Sequence, residues 1–193
     1  GCSQRMGPRN KLLMNINGQP MVTHIVDAAL ASMASEVIVV TGHDNLAVEN
    51  ALGSRQLKFV HNPSYKSGLS SSLIRGVEAI SNKTNGVLVC QGDMPLLKAY
   101  HLNRLIAAFN PSQKESICLP SFQNKRGNPV LWGEQYFAEL LNLKGDIGAR
   151  ELIKEHKRSV TEVIMSDPAV LTDIDTSTSE ELEIASDKNF MEA

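Results

Sequence analysis

The chain has 193 residues, a formal net charge of −2, an apolar fraction of 42% and a charged fraction of 21%. Those values fit a soluble globular protein with one sizeable core, read as a single domain over 1–193. They argue against a nucleic-acid polymer as partner, since that leaves a basic footprint, yet they leave room for a small anionic ligand.

In chain order, short apolar runs alternate with amphipathic stretches. Val22 to Ala34 is predicted helical, with Val22, Ile25, Val26, Ala29 and Leu30 at helical spacing. Val37 to Thr41 follows as a buried strand ended by Gly42, then a short helix at Asn45 to Leu52 and a strand at Leu57 to Val60. Ser70 to Ile80 is predicted helical, with Leu69, Leu73, Val77 and Ile80 on one face. Gly86 to Gln91 is the strongest strand signal, short, continuous and apolar, as expected of a strand covered on both sides. A helix at Tyr100 to Phe109 precedes strands at Ile117 to Leu119 and Val130 to Trp132. Helices at Gln135 to Leu141 and Ala149 to His156, strands at Val160 to Met165 and Val170 to Ile174, and a helix at Glu180 to Phe190 complete the pattern. This alternation predicts a three-layer α/β/α sandwich with a mainly parallel, Rossmann-like sheet. In such folds ligands bind beyond the carboxyl ends of the strands.

Residues that follow strands therefore carry the functional signal. Gly1 to Leu13 reads Gly-Cys-Ser-Gln-Arg-Met-Gly-Pro-Arg-Asn-Lys-Leu-Leu. Small residues there let backbone N–H groups approach phosphate oxygens, and Arg5, Arg9 and Lys11 add positive charge. Gln91-Gly92-Asp93-Met94-Pro95 puts a carboxylate at the end of the best strand. Asp173-Ile174-Asp175-Thr176 offers two more, of which only one is expected to serve as a ligand. Lys66-Ser67-Gly68-Leu69-Ser70-Ser71-Ser72 opens a helix with a donor-rich N-terminus. Arg126-Gly127-Asn128-Pro129 and Lys144-Gly145-Asp146-Ile147-Gly148-Ala149-Arg150 are two further loops of distinctive composition.

Together these segments resemble the MobA-like nucleotidyltransferases, whose signature runs L-A-A-G-x-S-x-R-M-G-x-x-N/K-K-L-L, followed by G-M-S-x-S-L, G-D-M-P, G-H-P-V-L, G-D-x-G-A-R and D-I-D-T-P. From Gly1 to Leu13 every fixed position is met, and a strand ending in Leu-Ala-Ala is expected in front of Gly1. The resemblance implies a nucleotide-diphospho-sugar transferase type of fold. It also implies that the backbone at Gly1 and Ser3, with Arg5 and Lys11, holds the nucleotide phosphates, Arg5, Lys11 and Asp93 being the catalytic set. Gly68, Ser71 and Ser72 fall near the base and ribose, and Mg²⁺ falls to Asp93 and Asp175, with Asp173 as the alternative. Asn128, Asp146 and Arg150 fall on the acceptor side, with Asn128 in place of the usual His and Ser177-Thr178-Ser179 in place of the usual Pro.

The G-D-x-G-A-R and G-x-S-x-S-L elements point to the molybdenum cofactor cytidylyltransferase branch. That branch implies CTP, a molybdopterin acceptor, release of pyrophosphate, and a client molybdoenzyme or its chaperone as a further partner. The alternatives are a guanylyltransferase on the same acceptor, a sugar- or alcohol-phosphate nucleotidyltransferase, and a non-catalytic nucleotide-binding module. Competing chemistries find little support. Cys2, Cys90 and Cys118 lack metal-ligand spacing, and their odd number fits a reducing cytoplasm. His24, His43, His61, His101 and His156 are scattered, and His61-Asn62 reads as a polar loop at a strand end. Ser70 to Ser72 lack the G-x-S-x-G elbow of a hydrolase, Trp132 reads as core, and no run is long enough to span a membrane.

Overall fold

The computed structural model describes residues 10–110, 112, 116–145 and 149–174. After a 3₁₀ turn at Lys11–Leu13, the elements in order are β1 (Asn15–Ile16), β2 (Gln19–Pro20), α1 (Met21–Leu30), β3 (Ile38–Thr41), α2 (Asn45–Leu52) and β4 (Lys58–His61). Then come α3 (Leu69–Glu78), β5 (Gly86–Val89), α4 (Ala99–Ala108), β6 (Ile117–Phe122), β7 (Lys125–Arg126) and β8 (Val130–Gly133). The last are α5 (Phe137–Leu141), α6 (Arg150–Glu155) and β9 (Val160–Ile164). The helix expected near 180–190 lies outside the described residues.

Strand directions follow from the pairings. β3 and β4 pair in parallel, Ile38 opposite Lys58 through Thr41 opposite His61. β8 is antiparallel to both β5 and β6, so those two run the same way, and β9 joins β6 in parallel. Among the described residues, β8 and the short β7 run against the five-stranded sheet and β1–β2 is a separate antiparallel hairpin, while the other strands fit the predicted mainly parallel architecture.

Alternation along the strands builds the layers, because successive side chains leave a strand on opposite faces. Cys118, Leu131, Leu88 and Val163 pack with Ile25 of α1 and Leu105 of α4. Their neighbours Ile117, Leu119, Val130, Trp132 and Val87 pack instead with Val77 of α3, Leu140 of α5 and Leu152 of α6. A further cluster joins α1 to α2 through Val22, Val26, Val48 and Leu52, over Val39 and Phe59 of β3 and β4. The result is a sheet with helices on both faces, and Trp132 is core as expected, 1% exposed.

Three local expectations change. The predicted closing strand over 170–174 is instead a 3₁₀ turn, Pro168–Leu171, followed by unpaired chain. Pro168 has the φ that a helical first position requires, and the Asp167 side chain accepts from the Ala169 N–H, so the turn is capped before a strand can form. The first helix stops at Leu30, short of Ala34, where the Ser32 hydroxyl donates to the Ala29 carbonyl and competes with the helix ladder. The helix expected at 135–141 begins as a 3₁₀ turn over Glu134–Tyr136.

Two hairpins were not anticipated. Asn17 and Gly18 carry positive φ values of 51° and 83°, which closes β1 on β2, and Gln123 and Asn124 do the same between β6 and β7 at 49° and 62°. Asn-Gly was a legible hairpin signal in the first case.

Candidate active site

The ends of β3 and β5 meet at one lip of the molecule. Asn10 and Lys11 show this directly, because they reach two strand ends at once. The Asn10 side-chain amide lies 3.5 Å from the carbonyl of His43, just beyond β3, while Lys11 Nζ lies 2.7 Å from Asp93 Oδ2, just beyond β5. Asn10 also caps its own turn, its oxygen accepting from the Leu12 N–H at 3.1 Å. That cap fixes the backbone from which Lys11 projects. Gly92 permits the close fit, since a Cβ there would meet Leu12 Cδ2 at 3.1 Å. The Lys11–Asp93 pair is half-buried, the side chains being 20% and 22% exposed, so it is shielded yet open to a ligand.

The segment carrying the second acidic motif reaches the same lip. The Ile174 N–H donates to the Asp93 carbonyl at 2.9 Å, which places exposed Asp173 one residue from the Asp93 loop. Ile174 itself is buried with Ile16 and Met21, so the β1–β2 hairpin covers this segment from outside. Residues two apart in extended chain project on the same side, so strand alternation alone does not choose between Asp173 and Asp175. Asp175 lies outside the described residues, as do Gly1, Ser3, Arg5 and Asp146.

Beyond β4, the sequence reading undervalued Asn62. It is 1% exposed, and its Nδ2 donates to the hydroxyls of Ser71 and Ser72 at 2.9 and 3.0 Å while its Oδ1 accepts from the Ser64 N–H at 3.0 Å. Asn62 thus clips the β4 exit to the first turn of α3. Ser71 is drawn inward further, its hydroxyl lying 2.8 Å from the Gly68 carbonyl and 3.0 Å from that of Ser64. Ser72 accepts from Asn62 as well, so its hydroxyl is fixed at the first turn of α3. Gly68 holds a φ of 104°, a conformation open to glycine, which turns the chain into α3. Replacing Asn62 with Leu should destabilise the fold by about 2–3 kcal/mol, because three polar partners lose their bonds inside the protein. Chemical denaturation would measure it, and a loss under 0.5 kcal/mol (about the noise of a surface change) would show that water takes the amide's place.

Asn128, expected from the resemblance to face the acceptor, stands at the same lip. β8 runs against β5, pairing Val130 with Val89, so the residues before Val130 lie beside the end of β5. The Asn128 N–H donates to the Val170 carbonyl at 2.9 Å, and a Cβ on Gly127 would overlap that same carbonyl at 2.1 Å. Arg150 opens α6 and is exposed, and the 3.4 Å contact from the Ser70 N–H to the Gly145 carbonyl brings its preceding loop against α3. Cys90 stands just after β5, but burial pushes its thiol up to about 12, so it is no nucleophile at neutral pH. Glu139, Glu155 and His156 form a separate group with ligand atoms within 4.8 Å of one another on α5 and α6.

The fold is that of the nucleotidyltransferases of the nucleotide-diphospho-sugar transferase type. The chain belongs to the MobA-like NTP transferase domain family, which matches residues 1–160. It is 30% identical over 190 residues to purine catabolism protein PucB of Bacillus subtilis, covering 91% of this chain and 88% of that protein. It is 27% identical over 181 residues to nicotine blue oxidoreductase of Paenarthrobacter nicotinovorans, again over 91% and 88% of the two chains. Among solved structures, a nucleotidyl transferase from Methanothermobacter thermautotroptrophicus superposes with a TM-score of 0.78 at 26% identity, covering 94% of this chain and 87% of that one. Among the described residues, no helix is long and apolar enough to cross a membrane.

Proposed function

We propose that the protein transfers CMP from CTP to the phosphate of a molybdopterin-type acceptor and releases pyrophosphate, with Mg²⁺ as its metal. The observation that carries this reading is the meeting of Lys11, Asp93 and the Asp173–Ile174 segment at one lip. The donor set there is carboxylate oxygen, which suits a hard cation such as Mg²⁺. Asp93, with Asp173 or Asp175, would hold the ion. When bound, it would neutralise phosphate charge and act as a Lewis acid.

The protein's own groups do the remaining work. Lys11 would present a mobile point charge to the phosphates, and Arg5 would add the planar fork of a guanidinium. With Gly1 and Ser3 these would align the α-phosphorus for in-line attack. The acceptor phosphate is already anionic, so no general base is needed, and rate comes from positioning and charge stabilisation. Gly68 and Ser72 would face the base and ribose, with Ser71 holding the loop. Asn128, Asp146 and Arg150 would receive the acceptor, and a client molybdoenzyme or its chaperone would take the product.

Thermal-shift titration with CTP, GTP, ATP and UTP, each with Mg²⁺, tests the nucleotide. A ligand at 100 times its Kd stabilises the native state by about 2.7 kcal/mol. CTP should raise Tm most, and a larger shift with GTP would move the assignment to the guanylyl reading. The name of the Paenarthrobacter relative favours a second reading, redox turnover of a small organic substrate. Pyrophosphate release that depends on CTP, Mg²⁺ and molybdopterin separates the two, since redox turnover releases none.

A further inference from the structure

We propose that His101 and Asp167 are a pair of positioning residues that hold the Asp173-bearing segment against the Asp93-bearing loop. His101 is a titratable side chain sunk into the core, 1% exposed, at the third position of α4. Both ring nitrogens are used. Nδ1 accepts from the Lys98 N–H at 3.0 Å, where the loop from Asp93 turns into α4. With Nδ1 accepting, Nε2 carries the proton and donates to Asp167, whose two oxygens are each 3.1 Å away. Burial lowers the His101 pKa, which keeps the ring in the neutral form that these contacts require.

Asp167 passes the restraint on. Tyr100 also donates to it from α4, and its Oδ1 accepts from the Ala169 N–H at 3.0 Å, capping the Pro168–Leu171 turn. That turn is gripped again at Val170, which is fully buried and accepts from Asn128. Four residues after Val170, Ile174 donates to the Asp93 carbonyl. The two acidic loops are thus joined twice, once at the lip and once through His101–Asp167 behind it. Without the rear link, the segment would rest on the lip bond, the Asn128–Val170 bond and the burial of Val170 and Ile174, with no strand partner among the described residues. The consequence for metal affinity rests on the function proposed above, but the restraint itself does not.

The test uses His101→Asn, Asp167→Ala, their double variant and Asp167→Asn in the full chain. Asn at 101 can still accept from Lys98 but is too short for Asp167, and Asn at 167 keeps an acceptor for both His101 and Ala169. Two readouts are taken: amide hydrogen exchange, and Mn²⁺ affinity by electron paramagnetic resonance without nucleotide. We expect exchange at Ile174 to quicken about tenfold in either single variant, no further in the double, and to recover in Asp167→Asn. The Leu119 amide in β6 should stay as protected as before, and Mn²⁺ affinity should fall about tenfold alongside Ile174. Ile174 protection within twofold of the parent, or equal loosening at Leu119, overturns the restraint. Loosening at Ile174 with Mn²⁺ affinity unchanged overturns its bearing on the site. A parent protein that binds no Mn²⁺ defeats the metal site proposed above instead, and exchange at Ile174 still decides the restraint.

Discussion

Asp93→Ala should lower kcat for CTP-dependent pyrophosphate release by about three orders of magnitude or more, which is about 4 kcal/mol of transition-state stabilisation. The fold should survive. The Lys11–Asp93 pair is partly open to water, where such pairs contribute about 1 kcal/mol or less, so its loss costs little stability. The Ile174 bond goes to the Asp93 backbone carbonyl, which Ala retains. A thermal transition within a few degrees of the parent, with turnover lost, would therefore assign the effect to chemistry. Turnover within tenfold of the parent would remove Asp93 from the reaction.

Lys11→Met should act on turnover and on bare metal in opposite directions. Turnover should fall about 10² to 10³-fold, the usual cost of removing one donor aimed at developing charge. Without nucleotide, however, Lys11 occupies Asp93 Oδ2 at 2.7 Å and competes with any cation for that oxygen. Removing the ammonium should tighten Mn²⁺ binding several-fold, since a nearby positive charge no longer opposes it. Kinetics and a metal titration on one preparation would check both arms. A variant that lost Mn²⁺ along with turnover would mean that Lys11 supports the loop and does not act on the phosphates.

Much of the fold was legible because burial wrote it into periodicity. Gly86 to Val89 reads as a continuous apolar run and pairs as β5, and Asn45 to Leu52 has the predicted bounds to the residue. Three-layer packing followed from alternation at Ile117, Cys118 and Leu119, whose side chains go to opposite helical layers. What failed were places where a local cap beats a propensity. Val170 to Ile174 is β-branched enough to suggest a strand, but Asp167 and Pro168 commit it to a turn first.

The site was legible in its residue types and illegible in its connections. Lys11 and Asp93 could be chosen from their motifs, yet their 2.7 Å contact spans 82 positions of sequence. Asn62 was passed over as a loop residue, since nothing local shows that α3 returns two serines to its amide. His101 offered no signal at all. Its partners are an adjacent backbone N–H and an aspartate 66 residues away, and only packing brings them together.

The central claim is that a divalent cation sits at the lip formed by Asp93 and the Asp173–Ile174 segment. Nuclear magnetic resonance of the labelled protein with Mn²⁺ and CTP locates it, because a paramagnetic ion broadens the amides nearest to it. Broadening centred on Asp93 and Ile174, and abolished in Asp93→Ala, is the predicted result. Broadening centred on the Glu139, Glu155 and His156 group of α5 and α6 would contradict the account.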